Sequence, residues 1–397
     1  MRLEKILSLS YLVPMDNPLN PECIWGLASV LHGKPGIGKT ARVKTSGKLL
    51  HLPVGIVELG GKQPEDAAGA PFLTKNDELV IACLLQPVNE LNAKGRGVLF
   101  LDEFNWARPA TQGAFLSMVW GRRVGDTVFS NHIRIVLAGN PPSSAGGGYM
   151  LIPPMANRLA HWDIPAPSDE EEDDYLMGML QEDPLLIEQG EQKIQASWSN
   201  EWPKTVGAMM GFKRKFPQHR LAEPKTGDPK AHKAWPSPRS REMAMRAVTT
   251  VRIMEGKDSE DIQDEFFTAC CGEAAAVDWA AYRADADLPD PEDMLKNGYK
   301  PDRTRLDKTL ASVGCAASFV IGRTTLDERK QYAEPMWGII ENLLDSGLGD
   351  IGAPIAQGLV RNKLGSQVGG ACAVLVKKLM LRMGKAGIHH YVGDSTP

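Results

Sequence analysis

The stretch Gly33-Lys-Pro-Gly-Ile-Gly-Lys-Thr40 constrains this chain more than any other feature. It meets the pattern GxxxxGK[ST] in full, with a short apolar run before it and a helical pattern after it. Glycines at these positions let consecutive backbone N–H groups turn inward around a polyphosphate, and a helix N-terminus behind them adds partial positive charge. Gly33, Lys34, Pro35, Gly36, Ile37, Gly38, Lys39, Thr40 and Ala41 are therefore expected to cradle a nucleotide. Lys39 has the reach for the β- and γ-phosphates, and the Thr40 hydroxyl suits a Mg²⁺ ion. A loop of this kind joins a strand to a helix, so the fold must supply both.

The first 165 residues do so. Short apolar runs at Ala28 to Leu31, Val54 to Leu59, Val98 to Leu101 and Ile133 to Ala138 alternate with helical patterns. The last two are nearly continuous, as in strands buried on both faces of a parallel sheet. This predicts an α/β core of three layers, α/β/α, over residues 1–165. Asp169 to Asp174 is then an unbroken acidic run. Ser168 and Glu171 fit a capping box, so the run reads as a solvated helix start. From Lys204 to Arg241 the balance reverses, with ten Lys or Arg against two acids and with five prolines. Poor periodicity there predicts an exposed, partly irregular connector; the charge suits either plain solvation or a nucleic-acid or acidic partner. Helical patterns dominate afterwards, at Met243 to Met254, Ile262 to Tyr282, Leu306 to Val320, Tyr332 to Leu344 and Val368 to Leu381. The Asp- and Pro-rich stretch Asp285 to Arg303 is a candidate boundary, giving helical regions at 166–285 and 286–397. The last nine residues, with His389 and His390, read as a tail.

Composition removes several classes. The chain has 397 residues, 43% of them apolar and 24% charged, enough for two or three cored domains. A net charge of −4 makes a globally basic nucleic-acid coat an unsuitable reading. Cys23, Cys83, Cys270, Cys271, Cys315 and Cys372 form no CxxC pair, and the adjacent two read as small hydrophobes on a helix. No leader-like segment and no run of 18 apolar residues occurs, so the cytoplasm is the expected compartment and no membrane the expected partner.

Two further patterns carry chemistry. Val98-Leu-Phe-Leu101 ends in Asp102-Glu103, two carboxylates at the tip of a buried strand. Asp102 suits the Mg²⁺ shell and Glu103 a general base that polarises a water. Ile133-Arg-Ile-Val-Leu-Ala-Gly-Asn140 places Asn140 at another strand tip, where its amide could bond a phosphate or that water; a turn-starting Asn before Pro141 is the plainer alternative. Thr74-Lys-Asn-Asp77 imitates a guanine-reading motif but precedes Asp102, the wrong place in the order.

GKPGIGKT, VLFLDEFN, IVLAGNPP, the arginine of PMANRLAHW and the SPR of WPSPRSRE, in that order over residues 20 to 285, resemble the MoxR branch of the AAA+ ATPases. The resemblance implies a P-loop core, an α-helical lid over 166–285 and an extra C-terminal helical region. It makes Asn140 sensor 1, Arg158 the arginine finger acting on ATP held by a neighbouring subunit, and Arg239 sensor 2 reaching the γ-phosphate from the lid. Arg241 lies close enough to compete for that last role, and Asn157 stands where the family commonly has an acid. The resemblance further implies ATP and Mg²⁺ as cofactors, a homo-oligomeric ring of six, a von Willebrand factor A domain partner and remodelling of a protein client. The alternative is an AAA+ motor acting on nucleic acid, helicase-like or restriction-associated, through Lys204 to Arg241.

Overall fold

The computed structural model describes residues 3–74, 77–140, 148–177, 187–225, 227–323, 325–365 and 370–385. In chain order the strands are β1 (Ser29–His32), β2 (Val54–Glu58), β3 (Ala70–Leu73), β4 (Leu79–Ala82), β5 (Arg96–Asp102), β6 (Arg123–Val124), β7 (Thr127–Val128), β8 (His132–Gly139) and β9 (Ala160–Asp163). Five of them form one parallel sheet in the order β2-β5-β8-β1-β9. The four apolar runs of the sequence supply all but its edge strand β9. That strand, Ala-His-Trp-Asp, is too short and too polar to stand out in the sequence.

Burial on both faces explains the apolar runs. Leu99 and Leu101 of β5 and Ile133, Ile135 and Leu137 of β8 point into one core, shared with Phe115 and Met118 of helix Pro109–Val119. Their neighbours Val98, Phe100, Val136 and Ala138 point the other way and are equally buried. Helices therefore cover both faces, giving the α/β/α arrangement. Arg134 is the one charge inside β8, 1% exposed. It donates to the Tyr11 and His132 carbonyls and meets the Glu191 carboxylate, so the charge is buried with its partners.

The remaining strands form two antiparallel hairpins, β3-β4 and β6-β7. Thr74 and Asp77 close the turn of the first, where the Asp77 N–H donates to the Thr74 carbonyl at 3.0 Å, a structural use of the guanine-like motif. Lys75 and Asn76 of that motif lie outside the described residues. The hairpins are tied to each other through Ile81 and Asp126, whose main chains and carboxylate exchange two hydrogen bonds.

The chain divides into two compact units, Met1–Ala196 with Gln218–Val277 and Ser197–Pro217 with Asp278–Pro397. The expected segments 1–165, 166–285 and 286–397 divide it differently. Helices Pro238–Glu255 and Glu260–Cys271 fall in the unit that holds the sheet, where Phe266 meets the ring of Trp162 on β9 edge-on at 4.8 Å. The capping box at Ser168 and Glu171 forms as expected and opens helix Asp169–Leu176.

The second unit is helical, built around buried Trp337, Met336, Ile340 and Leu343. Its helix Leu306–Ile321 comes so close to the segment around Gly207 that a Cβ there would lie 2.4 Å from the Ala311 carbonyl. That approach explains why residues 204–215 are not the irregular connector expected. They continue helix Ile187–Lys215 through Pro203, because Met209 and Phe212 are buried. Among the described residues no helix is long and apolar enough to cross a membrane. Cys270 and Cys271 are buried on helix Glu260–Cys271, and burial pushes both thiols well up, Cys271 to about 12. His389, His390 and residues 141–147 lie outside the described residues.

Candidate nucleotide site

The phosphate loop sits where β1 ends, and the Gly33 N–H donates to the Gly139 carbonyl at the end of β8. Gly36 and Gly38 take φ of +84° and +80° with open space about them, so the backbone rather than crowding demands glycine. Helix Lys39–Leu49 opens directly behind. Its first N–H groups therefore face the loop.

Lys39 is turned onto the loop itself. Its ammonium donates to the Gly33 carbonyl at 2.7 Å, the Lys34 carbonyl at 2.9 Å and Asn140 Oδ1 at 2.9 Å. Burial pushes its pKa down, while the carboxylate of Asp102 nearby acts in the opposite direction. The Thr40 hydroxyl donates to Asp102 Oδ2 at 2.6 Å. These two oxygens come from a helix start and a strand tip, and they meet at the mouth of one cavity of about 390 Å³. A hydroxyl beside a carboxylate, with open space before them, is a donor set that fits Mg²⁺, which keeps waters and takes phosphate oxygens for its remaining positions.

Glu103 follows Asp102 with φ of +57°, a left-handed conformation costly for a residue with a side chain. Its N–H donates to Asp102 Oδ1 at 2.9 Å. The turn aims its carboxylate across the cavity mouth towards Gly60, on whose Cβ position it would lie at 3.2 Å. Strain at the base of a reactive pocket is a common association. The cavity is walled by Lys39, Thr40, Asp102, Glu103, Asn140 and Asn105.

Asn105 was not singled out in the sequence, although it belongs to VLFLDEFN. It is 2% exposed. Its Oδ1 accepts from the Asn140 N–H at 3.1 Å, its carbonyl accepts from the Tyr149 N–H at 2.6 Å, and its buried Nδ2 has no acceptor among the described residues. A buried amide nitrogen left without a partner is costly unless something else accepts from it. The sequence signal was an amide two residues past the paired acids, in a chain that turns back under its own strand.

The three arginines part company. Arg241 is buried and donates to the His219 and Arg220 carbonyls, which gives it a structural role. Arg158 and Arg239 are not among the residues walling the cavity. Both lie over Trp120 instead, their guanidinium carbons 5.7 Å and 5.2 Å from the ring centroid. A buried polar network fixes this. Asn157 Nδ2 donates to the Trp235 carbonyl at 3.1 Å, while its Oδ1 accepts from the Ser237 hydroxyl at 2.8 Å. Ser237 is the N-cap of helix Pro238–Glu255 and forms a capping box with Ser240. An Asp at 157 would offer the Trp235 carbonyl no donor, which accounts for the amide where an acid was expected.

Under the loop lies a histidine pair. His32 Nε2 and His161 Nδ1 are 3.0 Å apart with the rings stacked, and His161 Nε2 bonds the Ala156 carbonyl at 2.9 Å. Only an N–H suits a carbonyl, so His161 Nδ1 accepts and His32 Nε2 donates. Burial pushes both pKa values down, His161 to about 4 and His32, which also faces His161, to about 3.

The sequence matches no known family profile and no curated protein. Solved structures do resemble the fold; one, from Cytophaga hutchinsonii and described as a candidate ATPase, is 17% identical over 68% of this chain and 80% of that one, with a TM-score of 0.44.

Proposed function

We propose that the protein is a Mg²⁺-dependent ATPase that assembles into a ring of MoxR type and remodels a protein client. One observation carries the reading. Lys39, Thr40, Asp102, Glu103 and Asn140, drawn from three separate segments, face one cavity at the C-terminal ends of parallel strands. Each has a task in phosphoryl transfer. Lys39 exchanges the Gly33 and Lys34 carbonyls for β- and γ-phosphate oxygens. Thr40 and Asp102 would hold Mg²⁺, which supplies charge to the phosphates when bound. Glu103 takes a proton from water as its oxygen bonds to the γ-phosphorus, and the bond to the β-phosphate oxygen breaks with its electron pair leaving on ADP. Asn140, braced by Asn105, holds the water or the γ-phosphate in line.

Arg158 completes the site from a neighbouring copy, which makes turnover depend on assembly. A von Willebrand factor A domain partner and a six-membered ring follow the MoxR resemblance alone. The nucleic-acid reading draws less support, because four of the ten cations in its basic stretch are paired with acids within the chain. Lys204 pairs with Glu201, Lys215 with Asp285, Arg214 with Asp350 and Lys233 with Asp163.

The test is ATP turnover against protein concentration, with assembly size followed by light scattering and single-stranded DNA added in parallel. Specific activity that rises with assembly and ignores DNA is the expected result. Stimulation by DNA that fades steeply with salt transfers the function to the nucleic-acid motor. Absence of any ATP turnover at full assembly overturns the enzyme reading.

A further inference from the structure

Two guanidiniums lie over one indole ring at the end of helix Pro109–Val119, and neither is paired with an anion among the described residues. Trp120 is 42% exposed. Arg158 donates to the Pro154 carbonyl at 2.6 Å, but its Nε is buried with no acceptor among the described residues. Among the described residues neither Arg158 nor Arg239 forms an ion pair, although Arg42, Arg134 and Arg246 each do. The two cations repel: burial lowers the pKa of Arg158, and Arg239 lowers it further. The negative π-system of the ring offsets part of that repulsion and keeps both forks beside the indole.

This is no accident of loose side chains. Asn157, Ser237 and Ser240 are each at most 5% exposed, and their hydrogen bonds to one another and to the Trp235 carbonyl lock together the backbones that carry the two arginines. The fold therefore spends a buried polar network on holding two like charges side by side. The missing component is an anion with several oxygens, which guanidinium forks match better than any ammonium.

The nucleotide cavity has the opposite deficit. Among the described residues Lys39 is the only cation on its wall, with two carboxylates facing it. A pocket that awaits phosphate and lacks a guanidinium, on the same chain as a guanidinium pair that lacks an anion, is complementary to a second copy of itself.

We propose that Trp120 is a positioning residue: it sets Arg158 and Arg239 abreast as a two-pronged receptor for the terminal phosphate of the nucleotide held by a second copy. Arg239 then acts beside Arg158 rather than on its own loop. The proposal rests on the assembly reading above, with nucleotide at the junction of two copies.

Mixed assemblies test both layers separately. A chain carrying R158A and R239A keeps its loop, and a K39A chain keeps its arginines. Each alone is inactive, and mixing the two restores turnover. With W120A added to the K39A chain, the restored kcat falls at least tenfold with little change in KM, and W120F in its place recovers most of it. W120A added to the R158A/R239A chain leaves the rescue intact. If W120A alters assembly size by light scattering, W120L replaces it, keeping apolar bulk without an aromatic face. Full rescue with W120A or W120L on the arginine-bearing chain overturns the platform and leaves delivery between copies standing. No rescue even with Trp120 present on both chains overturns delivery between copies, and the platform with it.

Discussion

The phosphate loop and the Trp120 corner use charged residues in opposite ways. At the loop every strong group is answered from within: Lys39 by two carbonyls and Asn140, Thr40 by Asp102. At Trp120 two arginines are held together while nothing in the described chain answers their charge. The first arrangement is a resting site whose contacts a nucleotide replaces. The second is unfinished without another molecule. Side chains answered within one chain and side chains left for another molecule can thus be told apart by asking where the counter-charges are.

The largest effect expected from breaking this contrast lies at the loop. E103Q keeps the shape of the side chain and removes its basicity, so turnover should fall by about 10²–10⁴-fold while ATP still binds. A stopped-assay binding titration beside the rate measurement checks this, and unchanged turnover would remove Glu103 as the base. At the other corner, N157D should destabilise the sheet-bearing unit by roughly 1–3 kcal/mol, because a buried acceptor then faces the Trp235 carbonyl. N157A should cost less, as Ser237 and Ser240 can still satisfy each other. Urea midpoints rank the two, and the reverse order would break the link between the amide and the corner.

Smaller changes sharpen the comparison. N105A loses the brace on Asn140, and turnover should drop by about tenfold with nucleotide affinity nearly kept, the pattern of an interaction formed in the transition state. An equal change in KM would make Asn105 a binding residue instead. The least effect concerns pH. His32 and His161 have folded pKa values of about 3 and about 4, below the usual 6.5, so the unfolded chain binds the protons that the folded one refuses. Stability should be full above pH 6.5 and decline as pH falls towards 4, by on the order of 1 kcal/mol per histidine near pH 6. H161Q, which keeps a donor for the Ala156 carbonyl, should flatten that slope in thermal melts.

Much of this was legible before any coordinates. The apolar runs of β1, β5 and β8 announce themselves because both faces of each of these central strands are buried, while β2, at one edge and mostly half-buried, is legible by its β-branched residues. The loop and the Asp102-Glu103 pair are contiguous in sequence, so their chemistry is visible as spelling. What stayed hidden depends on distant partners. β9 gains its identity only by pairing with β1, and Asn105 only by reaching Asn140. Residues 204–215 look irregular until Gly207 and Gly211 approach helix Leu306–Ile321 and Phe212 meets the rings of Trp279 and Tyr282. Trp120 looked like any surface aromatic, since its two arginines come from 38 and 119 residues further along the chain.

The contacts that hold Lys39 and Thr40 within the loop also bear on how the proposed cycle resets. A departing ADP does not leave a naked ammonium or a stranded hydroxyl behind, because the Gly33 and Lys34 carbonyls and the Asp102 carboxylate are within reach to receive them. Exchange is then close to an even trade of contacts, with a low penalty for vacancy. On the proposed function, such a loop favours rapid discharge of product over tight retention.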